Sequence, residues 1–165
     1  MREGRVALRP LEPGDTAELL ALHETPAVRE WWGAPAEGFP ASDEPDSTRF
    51  AILVDERVAG MIQYGEEDEP DYRHATIDIF LDPSLHGQGL GTLALRLLVR
   101  HLIDERGHHR ITIDPASENA AAIRSYEKAG FRPIGLMEAA WRDEGGNWRD
   151  TLLMELVERG AISRT

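Results

Sequence analysis

The amino-acid sequence predicts an α/β (α+β) fold: one domain over residues 1–165, with a mixed central sheet and helices on both of its faces. Three observations carry this. Apolar residues alternate along Thr76-Ile77-Asp78-Ile79-Phe80-Leu81, the period of a strand with two different faces. They then fall at Leu90, Leu93, Ala94, Leu97, Leu98 and Leu102, the spacing of an amphipathic helix. Between the two stands Leu85-His86-Gly87-Gln88-Gly89-Leu90-Gly91-Thr92, three glycines where a strand turns into a helix, with further alternations of strand and helix on either side. A chain of 165 residues can bury about two thirds of its unfolded surface in one core, so no second domain is needed.

In order, Val6 to Leu11 reads as a short strand, and Asp15 with Glu18 three residues on reads as a capping-box helix start. Leu19, Leu20 and Leu22 or His23 supply that helix's inner face. Thr25-Pro26 starts a short helix through Val28, Trp31 and Trp32 that Gly33 stops. Residues 34–47, with Pro35, Pro40 and Pro45, read as a surface loop. Thr48 to Val54 and Val58 to Tyr64 form a hairpin around Asp55-Glu56-Arg57. The acid run Glu66-Glu67-Asp68-Glu69-Pro70-Asp71 is either a solvated turn or a cation-binding element, and the strand Ala75 to Leu81 follows it. Gly107 ends the helix that starts at Leu90, Arg110 to Ile113 is a strand, and a helix from about Glu118 to Ala129 stops at Gly130. Phe131 to Trp141 and Trp148 to Val157 close the chain as a hairpin over Asp143-Glu144-Gly145-Gly146-Asn147.

Composition narrows the partners. Without cysteine there are no disulfides, thiolate metal sites or thiol nucleophile, and a cytoplasmic location is the expectation. No apolar run reaches the roughly 20 residues that span a bilayer. A net charge of −12 argues against nucleic acid and anionic membranes and for a cationic partner. His108-His109 with His101 and Asp104 has no metal-ligand spacing and reads as a solvated helix end, so no metal is expected.

The chemistry starts at the glycines. Bare backbone can approach a ligand closely, and successive N–H groups at the positive end of a helix dipole suit a phosphate or pyrophosphate. Such an anion on an acidic protein needs local basic charge, for which Arg96, Arg100 and Arg124 are placed. The spacing fits neither a dinucleotide fingerprint nor a Gly-Lys-Ser/Thr phosphate loop. A second motif, Asn119 through Tyr126-Glu127-Lys128-Ala129-Gly130-Phe131, puts an amide in the first turn of a helix and a phenol two turns later on one face. On its own Tyr126 could equally be a core aromatic beside Ile123. On the strand before the loop, Asp78 shares a face with Phe80, which suits a cleft, and Asp114 ends the next strand. Either could bind and deprotonate an ammonium, or instead pair with Arg73 or Arg110. Trp31 and Trp32 are adjacent on a short helix, so one can face the core and the other lie over a ligand.

His86-Gly87-Gln88-Gly89-Leu90-Gly91 resembles the acyl-CoA pyrophosphate loop of the GCN5-related N-acetyltransferases, Arg/Gln-x-x-Gly-x-Gly/Ala, with His86 where Arg or Gln is usual. The Asn119-to-Phe131 segment is similar to that superfamily's second signature, and Val28 to Gly33, Ile77-Asp78 and Ile113-Asp114-Pro115 resemble aminoglycoside 6′-N-acetyltransferases. The tryptophan-rich acidic flap of better-known members has no tryptophan in the corresponding Glu66 to Tyr72.

The resemblance implies a mostly antiparallel sheet of about seven strands and acetyl-CoA as co-substrate. Phe80, Leu81, His86, Gly87, Gln88, Gly89, Leu90, Gly91, Thr92, Asn119, Arg124 and Tyr126 would hold it. Asp78 and Asp114 would bind and deprotonate the acceptor amine, Tyr126 would protonate the leaving thiolate, and Glu30, Trp31 and Trp32 would contact the acceptor. The expected reaction is acetylation of a polycationic small molecule, first an aminoglycoside 6′ amine, by a monomer or homodimer. The alternatives are a protein N-terminus, a polyamine or a hydroxamate precursor as acceptor, or a non-catalytic acyl-CoA-binding module.

Overall fold

A computed structural model describes residues 1–41 and 47–162. One eight-stranded sheet runs through the molecule. Its strands are β1 (Arg2–Glu3), β2 (Val6–Pro10), β3 (Ser47–Val54), β4 (Arg57–Glu67), β5 (His74–Leu81), β6 (Arg110–Ile113), β7 (Arg132–Arg142) and β8 (Trp148–Val157). They lie in the order β1-β2-β3-β4-β5-β6-β8-β7, and every neighbouring pair is antiparallel except β5 and β6. The helices are α1 (Thr16–His23), α2 (Pro26–Trp32), α3 (Leu90–Asp104), α4 (Ala120–Ala129) and the short α5 (Arg159–Ile162).

The alternation along β5 builds two cores. Ile77 and Leu81 face α3, among Ala94, Leu95, Leu98 and Leu102 with Tyr126 and Phe131. Phe80 faces the other way, into a smaller cluster with Leu19, Val28, Phe39 and Met61 under α1 and α2. Helices thus cover both faces, as expected.

Several local expectations are corrected. The sheet gains β1, a two-residue strand with too little pattern to read. Asp15 stands at the N-cap of α1 as expected, but its side chain does not cap that helix; its carboxylate takes a two-pronged ion pair from Arg9 at 2.7 Å and the Glu12 N–H at 2.8 Å, one turn earlier. That pairing, followed by the Glu12 N–H, holds Asp15 below the usual carboxylate range, against its burial. His23, not Leu22, completes the buried face of α1. The β3–β4 turn is two residues long, Asp55 and Glu56, both at positive φ. Of the expected surface loop, residues 42–46 lie outside the described residues, whereas Phe39 and Pro40 are buried rather than exposed. His108 is fully buried instead of solvated and bonds Glu66 at 2.6 Å. Arg106 grips the same carboxylate, and these partners, Arg106 foremost, hold Glu66 below its ordinary range. The first acid of the run is therefore part of the framework, not a cation ligand.

Candidate active site

The cleft begins where the parallel pair comes apart. Strands β5 and β6 pair only at Ala75–Ile111 and Thr76–Thr112. The two threonine hydroxyls hydrogen-bond at 3.0 Å across that last rung. Two residues on from each threonine, Asp78 on β5 and Asp114 just past the end of β6 line one opening. The cavity there is about 930 Å³. It runs from Glu30, Trp31 and Trp32 on α2, past Asp78, Phe80 and Leu81, to the glycine loop and the first turns of α3 and α4. All the expected site residues line it except Gln88, which is exposed and outside.

At one end, Gly87 and Gly89 adopt left-handed φ of 77° and 76°, with no heavy atom within 4 Å of a built Cβ. Gly89 is the N-cap of α3, no side chain caps that terminus among the described residues, and the residues of this first turn, Gly89 to Thr92, line the cleft. An anionic diphosphate fits this cradle by the chemistry of its donors. Gly91 is ordinary backbone whose Cβ would only brush Ser125. The His86 Nε2–H donates to the Leu81 carbonyl at 3.0 Å, which pins the loop to the end of β5. Thr92 is buried, its hydroxyl against that of Ser125 at 2.9 Å, which ties α3 to α4. Asn119 is the N-cap of α4 rather than a first-turn residue: its Oδ1 accepts the Ala122 N–H at 3.0 Å, leaving the amide nitrogen for a ligand.

Basic charge in the cleft comes from Arg124 and from Lys128, which lines it unforeseen. The other two expected arginines are committed elsewhere. Arg96 donates to the Lys128 carbonyl, and Arg100 pairs with Glu3.

At the other end, charge turns negative. Gln63, opposite Asp78 in the sheet register, donates to it at 3.0 Å, and Arg49, opposite Gln63, donates to Gln63 at 3.0 Å. This row across β3, β4 and β5 orients the Asp78 carboxylate. Its signal, polar residues in one phase on three strands, becomes visible only with the register. The ion pairs weighed as an alternative for the two aspartates do not form: Arg73 donates to the Arg106 and Gly107 carbonyls, and Arg110 pairs with Glu155. Asp114, although exposed on the cleft wall, is hemmed in by protein. Loss of hydration, then repulsion from Asp78, raises its carboxyl above the usual range. Tyr126 is 9% exposed, and burial, then Asp78 and Asp114, push its phenol far above the ordinary range. Glu118, another lining residue the sequence did not single out, is held by Arg149.

The arrangement offers bare amides for an anion, a protonated phenol, and carboxylates with aromatic rings for a cation. No group of His, Asp and Glu suited to a metal ion occurs among the described residues.

Comparison with known proteins shows the family. The Acetyltransferase (GNAT) family matches residues 9–131. The chain is 31% identical over 151 residues to an aminoglycoside N(6′)-acetyltransferase type 1 of Klebsiella pneumoniae, covering 79% of this chain and 75% of that protein. It is 30% identical over 139 residues to the spermidine N(1)-acetyltransferase of Escherichia coli K12, covering 79% and 74%. Among solved structures, an aminoglycoside acetyltransferase in complex with coenzyme A and kanamycin superposes with a TM-score of 0.76 at 27% identity, over 97% of this chain and 98% of that one. From the glycine cradle at the head of α3 to the fork between β5 and β6, this chain is an N-acetyltransferase and belongs to the acetyltransferase (GNAT) family.

Proposed function

We propose that this enzyme transfers the acetyl group of acetyl-CoA to an amine of a polycationic small molecule, with an aminoglycoside 6′ amine as the first candidate. The observation that carries this reading is the facing pair Asp78 and Asp114 at the fork, one of them raised, with Glu30 and Trp31 completing the wall. Paired carboxylates select a cation, and a carboxyl with a raised pKa is the better base for its proton.

In the proposed reaction the Gly87–Thr92 amides and Arg124 hold the diphosphate of acetyl-CoA. Asp78 and Asp114 together hold the acceptor ammonium, and this carboxylate pair takes its proton. The freed amine attacks the thioester carbonyl, and a backbone N–H at Phe80 or Leu81 faces the developing oxyanion. As the new C–N bond forms and the C–S bond breaks, Tyr126 donates its proton to the departing sulfur. Its raised pKa makes the phenol a weak acid, so the proton moves only as charge builds on the sulfur, and the proton that the product nitrogen sheds restores the phenol. On this reading the enzyme works in the cytoplasm, and it serves antibiotic resistance if a drug is the natural acceptor.

The near-equal identity to a spermidine acetyltransferase favours a second reading, in which a linear polyamine fills the acidic end. Thiol release from acetyl-CoA decides between them. Turnover of kanamycin, none of an aminoglycoside with a 6′ hydroxyl instead, and slower turnover of spermidine supports the first reading. The reverse order supports the second. Release with none of these amines, despite coenzyme A binding, rejects both.

A further inference from the structure

Behind the acidic end of the cleft lies a side chain that touches neither reactant. His23 ends α1 and is 3% exposed. Its imidazole stands edge-on to Phe39, Phe80 and Trp32, with ring centroids 4.7, 5.5 and 5.9 Å away and interplanar angles of 66°, 76° and 82°. Phe80 and Trp32 meet each other edge-on at 5.1 Å. Both line the cleft beside Asp78 and Trp31, and His23 does not.

Volume alone does not call for histidine here. Its Nδ1 is buried with no hydrogen-bond partner among the described residues, a cost a leucine would avoid. A flat ring does offer something an aliphatic chain lacks, because its polarised edge can sit against aromatic faces in several directions at once. Burial, and after it Arg29, hold the imidazole below its ordinary range, so near neutral pH it acts as an uncharged wedge.

We propose that His23 is a positioning residue for the acceptor site, keying Trp32 against Phe80 so that the wall beside Asp78 keeps its shape. This rests on the acceptor reading above. Without the wedge, Trp32 sits on the last turn of a seven-residue helix with open space behind it, and its ring turns away from Phe80.

Two variants test this, His23→Ala and His23→Phe; should the alanine variant not fold, His23→Leu, which fills volume without a ring, is read in its place. In the ringless variant the KM for kanamycin or spermidine rises about tenfold, the scale expected for a small misplacement in a site, while the KM for acetyl-CoA stays within about twofold. His23→Phe restores a ring and brings the acceptor KM back to within about threefold of the parent. Crystal structures show Trp32 away from Phe80 in the ringless variant and in place in His23→Phe. Equal shifts in both KM values, or a ringless variant whose Trp32 still stands 5.1 Å from Phe80, would overturn the proposal. If the parent enzyme turns over neither amine, the acceptor reading fails, and the two crystal structures still decide whether His23 places Trp32.

Discussion

The carboxyl of Asp114 is raised chiefly by lost hydration and then by Asp78, and on the proposed reading the positive charge of a bound ammonium opposes both by favouring the ionised form. Binding a cation therefore lowers the Asp114 pKa, and by linkage acceptor affinity grows as pH rises through the free enzyme's raised value and falls as pH drops through it. For an ordinary aspartate that loss would centre near about pH 3.9; here it centres higher. The acceptor KM measured against pH should show this limb, and Asp114→Asn should remove it while raising KM about tenfold at neutral pH, or about 1.4 kcal/mol. Stability moves the other way. A group whose folded pKa exceeds its unfolded one stabilises only at low pH, so Asp114→Asn should raise Tm at neutral pH rather than lower it. Tyr126 makes a contrasting case, because burial and the two acids keep it protonated across any working pH. Tyr126→Phe should lower kcat about a hundredfold and leave the shape of its pH profile unchanged. A lost alkaline limb would show that Tyr126 titrates after all.

Elements bring these residues together, and here one glycine is decisive. Gly60 lies opposite Leu81 in the β4–β5 register, and a Cβ on it would stand 2.2 Å from the Phe80 carbonyl oxygen and 2.9 Å from the Leu81 Cα. Both atoms are backbone, so the end of β5 must shift. Gly60→Ala should cost about 1–3 kcal/mol and lower kcat, since the strand that moves carries Phe80, Leu81 and, through His86, the glycine loop. Thermal unfolding and thiol release check this; unchanged kcat at lowered Tm would separate the strand end from the chemistry. The same elements show what a sequence can reveal. The period-2 run of β5, the periodic face of α3 and the glycines between them are local signals, and they placed most of the cleft's lining. The fork is not local, because it depends on β6 pairing with β5 through only two residues. Nor was the row Arg49, Gln63, Asp78 legible, or the Glu66–His108 bond across 42 residues, since each needs a register between distant strands or segments.

At the scale of the whole molecule, the proposed function asks one net charge to serve two reactants of opposite sign. The chain carries −12, yet Arg124 and Lys128 line one end of its cleft while Glu30, Asp78 and Asp114 line the other. The long-range field would attract the proposed polycationic acceptor and repel the anionic acetyl-CoA, which on the same reading is held by short-range contacts with the amides at Gly87 to Thr92. Salt acts differently on the two. With a Debye length of about 8 Å at 0.15 M, added salt removes the long-range part and leaves the close contacts largely intact. Raising ionic strength from about 0.02 to about 0.3 M should thus lower kcat/KM for kanamycin about tenfold, while kcat/KM for acetyl-CoA holds or rises. Initial-rate thiol release, varying each substrate against saturating partner, measures both. A common decline would mean that the acidic surface does not guide the acceptor, and that the selection of a cation rests on the carboxylates at the fork alone.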